Sequence, residues 1–400
     1  MRPSCSSACE TIAHGGKLSR ILQLMSTGRS RLEDVVTPTG SAEGIALWHA
    51  VSDFISNGEV DVDGEVFNRL ALRVFRFQFE GCALYNKWCS HLGWTSAKAS
   101  DLSRWQDIPA MPVEAFRWGR VQTAGIDEGQ TPLVFRTSGT TGAGRGTHHV
   151  LTPELYRVSA TSGFTRCFGP PHGQGAVVLG LLPGYLERPD SSLVHMVSML
   201  RSQGWMETGG APAGGFYLDN ATALFDAIAS VRAANRQVVL IGVTWALVDA
   251  AEAWRKSGRP PLTEGVHIAI TGGMKGKREE WISERVRSAL QKGFGCRSVA
   301  GEYGMTELLS QAWSLEAGMY QTPPWMKVRI RRTDDALSMN TSGATGGVDV
   351  IDLANLASCA FLSTQDLARP SAPGIEAEKG FELLGRFDRS EVRGCNLLVD

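Results

Sequence analysis

Apolar positions along the chain fall into three textures. Between about 41 and 110 they recur at three- and four-residue intervals. Ile45, Leu47, Trp48, Val51, Phe54 and Ile55 mark one amphipathic helix, and Phe67, Leu70, Ala71, Val74, Phe75 and Phe79 a second. A third is expected over 82–91, and 101–105 reads as a short helix start before Pro109 and Pro112 break it. From about 150, short apolar runs alternate with helical stretches. Thr152-Pro153-Glu154 supplies a cap, a first-turn proline and an early acid, and so predicts a helix start. Strands are expected at 177–182, 238–243 and 266–270, and helices at 193–200, 220–234, 248–256 and 277–292. That alternation predicts an α/β architecture with mainly parallel strands. After about 325 the texture becomes β-rich: 327–331 alternates, 334–347 is turn-rich and 348–351 is short and β-branched. Residues 1–40 are polar and irregular.

Composition narrows the function classes. The chain has 40 basic and 41 acidic residues and a net charge of −1, which gives no support to nucleic-acid or membrane-surface binding. Cysteines stand at 5, 9, 82, 89, 167, 296, 359 and 395 without a C-x-x-C pair, so zinc is not indicated and free thiols in a reducing compartment are expected. The N-terminus lacks an apolar signal core. The longest apolar stretch, 238–248, is interrupted by Gly242 and Thr244 and falls short of the ~20 residues that cross a bilayer. A soluble cytoplasmic protein without a membrane span is the expectation.

The chemistry gathers first at 133–150, LVFRTSGTTGAGRGTHHV. An apolar stub runs into a loop rich in glycine and hydroxyls, flanked by Arg136 and Arg145. Glycines let backbone N–H groups converge, and the arginines add charge, so the loop suits a polyphosphate. The same composition also suits an ordinary surface loop. Gly139 to Gly144 fits the spacing of a triphosphatase phosphate loop, but Arg145-Gly146 stands where that loop needs Lys and then a metal-holding hydroxyl. His148 and His149 follow directly, as candidate acid or phosphate contacts or as structural residues at a helix entry.

Three further stretches carry candidate chemistry. The turn Thr271-Gly272-Gly273 would let a flat ligand approach bare backbone. In Gly301-Glu302-Tyr303-Gly304-Met305-Thr306-Glu307, the tyrosine offers a stacking face, Thr306 a phosphate donor and Glu307 the hard oxygen that Mg²⁺ prefers. Asp366, at the end of an expected strand in STQDLAR, suits ribose hydroxyls, and GRFDRSEVRGC follows with Arg386, Asp388 and Cys395.

Taken in order, TSGTTG-x-x-R-G, TGG, EYGMTE, STQDLAR and GRFDRSEVRG resemble the adenylate-forming superfamily of acyl-CoA synthetases, luciferases and peptide-synthetase adenylation domains. FRTSGTTGAGRGTHH, GEYGMTEL and RGCNLLVD are similar to the acyl-protein synthetase of the bacterial luminescence fatty-acid reductase complex. The resemblance covers roughly 100 to 400. It implies the large N-terminal domain of these enzymes, with two α/β subdomains and a small β-rich one, over residues 41–388. Residues 389–400 would be a short tail, with the usual C-terminal small domain missing or vestigial.

The resemblance also implies roles. Thr137, Ser138, Gly139, Thr140, Thr141, Gly142 and Arg145 would hold the β- and γ-phosphates of ATP. Gly272, Gly273 and Tyr303 would line the adenine, Thr306 would contact the α-phosphate, and Glu307 would hold Mg²⁺. Asp366 and Arg386 would bind the ribose, and Asp388 stands at the hinge position. The implied reaction joins a fatty or other carboxylic acid to ATP and passes the acyl group to a thiol, with Cys395 the candidate acceptor. An acyl reductase or carrier protein would be the acyl-accepting partner. Transfer to coenzyme A, a non-catalytic nucleotide-binding role and a triphosphatase remain as alternatives. Trp205, Phe216, Trp245 and Met274 are candidates for the acid pocket or for core.

Overall fold

Apolar runs without polar alternation need cover on both faces, and the expected strands obtain it. The computed structural model describes residues 38–387 apart from 59–60, 62–63, 138–143, 172–174, 184–186, 207–214, 272–282, 316–317, 341–342 and 372–379. Val177–Leu181, Val238–Val243, Val266–Thr271 and Val299–Tyr303 lie side by side as parallel strands, and Ala312–Ser314 closes the edge antiparallel. Side chains alternate between the faces. Val177, Leu179, Leu240 and Ile268 pack with the helices Ala221–Ala233, Thr244–Lys256 and Ser283–Phe294. Val178, Val239, Ile241 and Ala300 face the other way, into the core shared with Pro153–Phe168 and Ser192–Ser202.

The β-rich stretch forms an antiparallel sheet in the order Met319–Tyr320, Phe381–Arg386, Phe361–Pro370, Gly346–Asp352, Met326–Arg331. Met111–Pro112 joins it parallel to Phe361–Pro370. The early amphipathic helices find their apolar partner here. Phe75 of Glu65–Gly81 meets the Phe361 ring edge-on, and Tyr85 of Ala83–His91 stacks on it. Gln78, wholly buried, donates to the Asn355 and Leu356 carbonyls and accepts from the Ala360 amide. Among the described residues no helix is long and apolar enough to cross a membrane.

Several local expectations change. Residues 101–105 do not start a helix: Ser96–Asp101, capped by Thr95, ends there, and Trp105–Asp107 is a single 3-10 turn whose indole packs edge-on against Phe67. Thr39–Gly40, read as part of an irregular leader, pairs with Ile126–Asp127. Thr244–Lys256 begins four residues before its expected start, directly off the preceding strand. Of the expected helix at 277–292, residues 277–282 lie outside the described residues, and the helix Ser283–Phe294 runs two residues past the expected end. Thr152 stands at the N-cap of Pro153–Phe168 but makes no capping bond, and its hydroxyl is buried without a partner. The cap comes from Glu128, whose carboxylate accepts from the Glu154 and Leu155 amides and the Trp48 indole.

Candidate functional site

The glycine-rich loop is the tip of a hairpin, because Leu133–Arg136 pairs antiparallel with Thr147–Val150. Ser138, Gly139, Thr140, Thr141 and Gly142 lie outside the described residues, but the neck is defined. The Thr137 amide donates to the Gly146 carbonyl at 3.0 Å, and the Gly146 amide donates to the Thr137 hydroxyl at 2.9 Å. Arg145 folds back on this neck. It donates to the Thr137 carbonyl at 2.6 Å and pairs with Asp190 at 2.6 Å. Asp190 also pairs with Arg188 at 3.1 Å, and its carbonyl accepts from the Arg136 amide at 2.9 Å. Burial works against the Asp190 charge, but Arg188 and Arg145 outweigh it and hold the carboxyl below its ordinary range.

The returning strand ties this hairpin to the Tyr303–Glu307 segment. His148 is fully buried, 2.9 Å from the Thr306 carbonyl through Nδ1 and 3.0 Å from the Ser358 hydroxyl through Nε2. Burial lowers its pKa to about 4, so the ring is neutral at pH 7. A carbonyl only accepts, so Nδ1 carries the proton and Nε2 accepts from Ser358. His148 is thus a brace on a strand and not a residue at a helix entry. His149 is partly buried, and that burial, with Arg120 and Arg136 nearby, also lowers its pKa. The Asn355 amide group donates to the Glu307 carbonyl at 2.7 Å. Asp352, wholly buried, accepts from the Leu309 and Ser310 amides at 2.8 and 2.9 Å.

Glu307 is 7% exposed, and burial raises its carboxyl pKa to about 7, against the pull of its own backbone amide, Arg386 and Arg117. A Cβ added at Gly146 would lie 3.1 Å from Thr137 Cγ2 and 3.6 Å from Glu307 Oε1. The bare backbone of the loop neck therefore faces this carboxyl. Asp366 stands inside Phe361–Pro370 and not at a strand end, directly opposite Arg386 on the neighbouring strand. Its Oδ1 accepts from Arg386 Nε at 2.8 Å and its Oδ2 from the Tyr303 hydroxyl at 3.1 Å. The Tyr303 ring is buried edge-on against Phe381 and Tyr320. Thr137 and Arg145 are thereby joined at the loop neck, Thr306 is joined to the loop strand through His148, and Tyr303, Asp366 and Arg386 form a second group whose Arg386 acts on Glu307 through charge. Gly272, Gly273, Asp388 and Cys395 lie outside the described residues.

A cavity of about 420 Å³ opens beside these groups where the parallel strands end, at Leu182, Val243, Thr271 and Gly304. Strand ends of this kind are where open α/β sheets bind ligands. Thr306, Arg136 and Trp245 line it. Of the other pocket candidates, Trp205 is core, with its indole donating to the Gly169 carbonyl, and Phe216 packs over Gly180. Met274 lies outside the described residues. A larger cleft of about 720 Å³ near Cys167 and Trp313 holds none of the described motif residues. Sequence reasoning missed Glu302 and Gln311 as wall residues of the smaller cavity and Asp190 as the partner of Arg145. Glu302 sits inside a motif already singled out, whereas nothing in the sequence around Asp190 signals its role.

Among the described residues no group of three or more His, Cys, Asp or Glu could hold a metal ion. A single carboxylate at Glu307 fits Mg²⁺ bound mainly through substrate phosphates and water, and does not fit an all-protein cage.

No family model and no curated protein sequence matches the chain. Solved structures do. A 2-hydroxyisobutyryl-CoA ligase in the postadenylation state with R3-HIB-AMP superimposes with a TM-score of 0.58 at 12% identity, over 83% of this chain and 70% of that one. The same ligase in an open conformation with 2-HIB-AMP and CoA gives 0.54 at 13% identity, over 83% and 72%. Its thioesterification state gives 0.57 at 13% identity, over 83% and 70%. The likeness shows the fold: an α/β chain with the architecture of the greater part of this ligase.

Proposed function

We propose that the protein is an ATP-dependent acid–thiol ligase. The observation that carries this reading is the approach of the loop neck at Thr137 and Gly146 to Glu307, with Thr306 braced to the loop strand by His148. The fold likeness and the ordered motifs support it. In the first step a carboxylate oxygen of the acid attacks the α-phosphorus of ATP, the bond to the bridging oxygen breaks, and pyrophosphate leaves with that electron pair. The product is an acyl-adenylate. Residues 137–142 and Arg145 would hold the leaving phosphates, Thr306 the α-phosphate, Tyr303 with Gly272 and Gly273 the adenine, and Asp366 with Arg386 the ribose. Mg²⁺ bound at Glu307 would supply positive charge against the charge that builds on the leaving phosphates.

In the second step a thiolate attacks the acyl carbonyl and AMP leaves, which forms a thioester. The resemblance to acyl-protein synthetases favours a fatty acyl group, Cys395 as acceptor and onward delivery to a partner protein. Arg393 beside it in sequence favours the thiolate. The solved 2-hydroxyisobutyryl-CoA ligase carries CoA in two of the structures that superimpose on this chain, so transfer to coenzyme A is the second reading. A panel of carboxylic acids in ATP–pyrophosphate exchange tests the first step: acid-dependent exchange is expected, and none with any acid in a folded, ATP-binding protein overturns it. For the second step, a hydroxylamine-labile acyl label on the chain should disappear in Cys395→Ala. Label that persists moves the acceptor elsewhere, and an acyl-CoA product by mass spectrometry replaces it with coenzyme A.

A further inference from the structure

The cavity beside Thr306 combines features that a pocket for a plain alkyl chain has no use for. Part of its wall is apolar, from Met196, Leu218 and Trp245. Arg136 and Arg188 also line it, and both are tied to the phosphate loop through Asp190. Glu302 and Gln311, only 9% and 7% exposed, bring a carboxyl and an amide into the same wall. Burying such groups is costly unless hydrogen bonds satisfy them. One Glu302 oxygen is engaged: Oε2 accepts from the Thr271 hydroxyl at 2.6 Å. The other lies over Gly304, where an added Cβ would collide with Oε1 and come 3.4 Å from Gln311 Cγ. The bare backbone at Gly304 thus makes the room in which this carboxyl sits, and Gly304 is itself part of the cavity wall.

We infer that Glu302 is a specificity-determining residue of the acid pocket, which receives through Oε1 a hydrogen-bond donor, a hydroxyl or an ammonium, carried on the chain of the acid substrate. This rests on the ligase reading and deepens it, and it stands in place of the fatty acyl group that the resemblance to acyl-protein synthetases favours. The carboxylate of the acid lies on the arginine and Thr306 side, where the phosphates are held, and the donor reaches the sheet side, where Glu302 and Gln311 stand. Sites built to bond a polar group discriminate strongly, because a substrate lacking that group leaves buried polar atoms unpaired. The pocket therefore favours a hydroxy or amino acid of compact length over the unsubstituted acid of the same length.

The test uses the full chain, wild type against Glu302→Leu and Glu302→Gln. The acids are a straight-chain alkanoic acid and its hydroxy- and amino-substituted counterparts of equal length. Kinetics come from pyrophosphate exchange and binding from calorimetry without turnover. The wild type should prefer a substituted acid. Glu302→Leu should lower the ratio of kcat/KM for that acid over the alkanoic acid about 10- to 100-fold. Glu302→Gln separates the two donors, since its amide oxygen still accepts from a hydroxyl but no longer carries the charge that favours an ammonium. Preference of the wild type for the alkanoic acid, or a ratio unmoved by Glu302→Leu, overturns the assignment. If the leucine variant does not fold, Glu302→Met gives the same comparison in a side chain of closer shape. Absence of exchange with every acid overturns the ligase reading, while the calorimetric ratio still decides for or against Glu302.

Discussion

Buried carboxyls define the site at the residue scale. Glu302 and Glu307 both have pKa values raised to about 7 by desolvation, from an ordinary value of 4.5. For Glu302 the consequence for stability has a definite sign. Below pH 4.5 the folded and unfolded chains both carry the proton. As the pH rises towards 7 the unfolded carboxyl releases it and the folded one keeps it, so stability is lost progressively until the folded group also ionises. The full loss, at most about 3 kcal/mol for a shift of this size, is in place above pH 7. Glu302→Gln keeps an acceptor for Thr271 and removes the charge. It should therefore melt a few degrees above wild type at pH 8 and close to it at pH 5, in paired thermal scans. A variant that is no more stable at pH 8 would mean that water or a neighbour already relieves the buried charge.

At the scale of elements, the site depends on how the segment after Glu307 is fixed. Residues 304–311 contain no helix or strand, yet the segment is held firmly. Asp352 accepts from the Leu309 and Ser310 amides, the Ser310 hydroxyl and the Ala354 amide. His148 and Asn355 hold the carbonyls of Thr306 and Glu307. Asp352→Ala strands several buried donors at once and should cost about 3–5 kcal/mol in urea unfolding. Asp352→Asn, which keeps an acceptor oxygen, should cost about half as much and, under the proposed ligase reading, raise the KM for ATP by loosening Glu307. Equal stability of the two variants would show that the amides find other partners. None of these long-range bonds could be read from the sequence, since 43 residues separate Leu309 from Asp352. Three of the four parallel strands could be, because apolar runs such as VVLIGV suit a doubly covered sheet; Val299–Tyr303, whose VAGEY carries a glycine and a glutamate, could not.

For the molecule as a whole, burial decides which thiols can react. Cys82, Cys89, Cys167, Cys296 and Cys359 are free, and burial is the leading cause that raises the pKa of each, to about 12 for Cys89 and about 11 for Cys167. The thiolate is the nucleophile, so none of the five suits an acyl acceptor in the folded protein. Iodoacetamide at pH 7.5 should modify them at least about tenfold more slowly in the native than in the urea-unfolded chain, as read by peptide mass spectrometry. Fast labelling of Cys89 or Cys359 would reveal opening of the helix layer over the antiparallel sheet.

The sequence by itself determined the α/β class, three of the four parallel strands with the helices between them, and the presence of the loop, Tyr303–Glu307 and Asp366–Arg386 motifs, because periodicity, glycine placement and motif spacing are local properties of the chain. Tertiary structure alone decided that Arg145 rests on Asp190, that His148 is a neutral brace, that Asp366 is paired within a strand, and that Glu302 enters a cavity wall. Those outcomes depend on which distant groups exclude water from one another, and burial of that kind is not encoded in the spacing of any single segment.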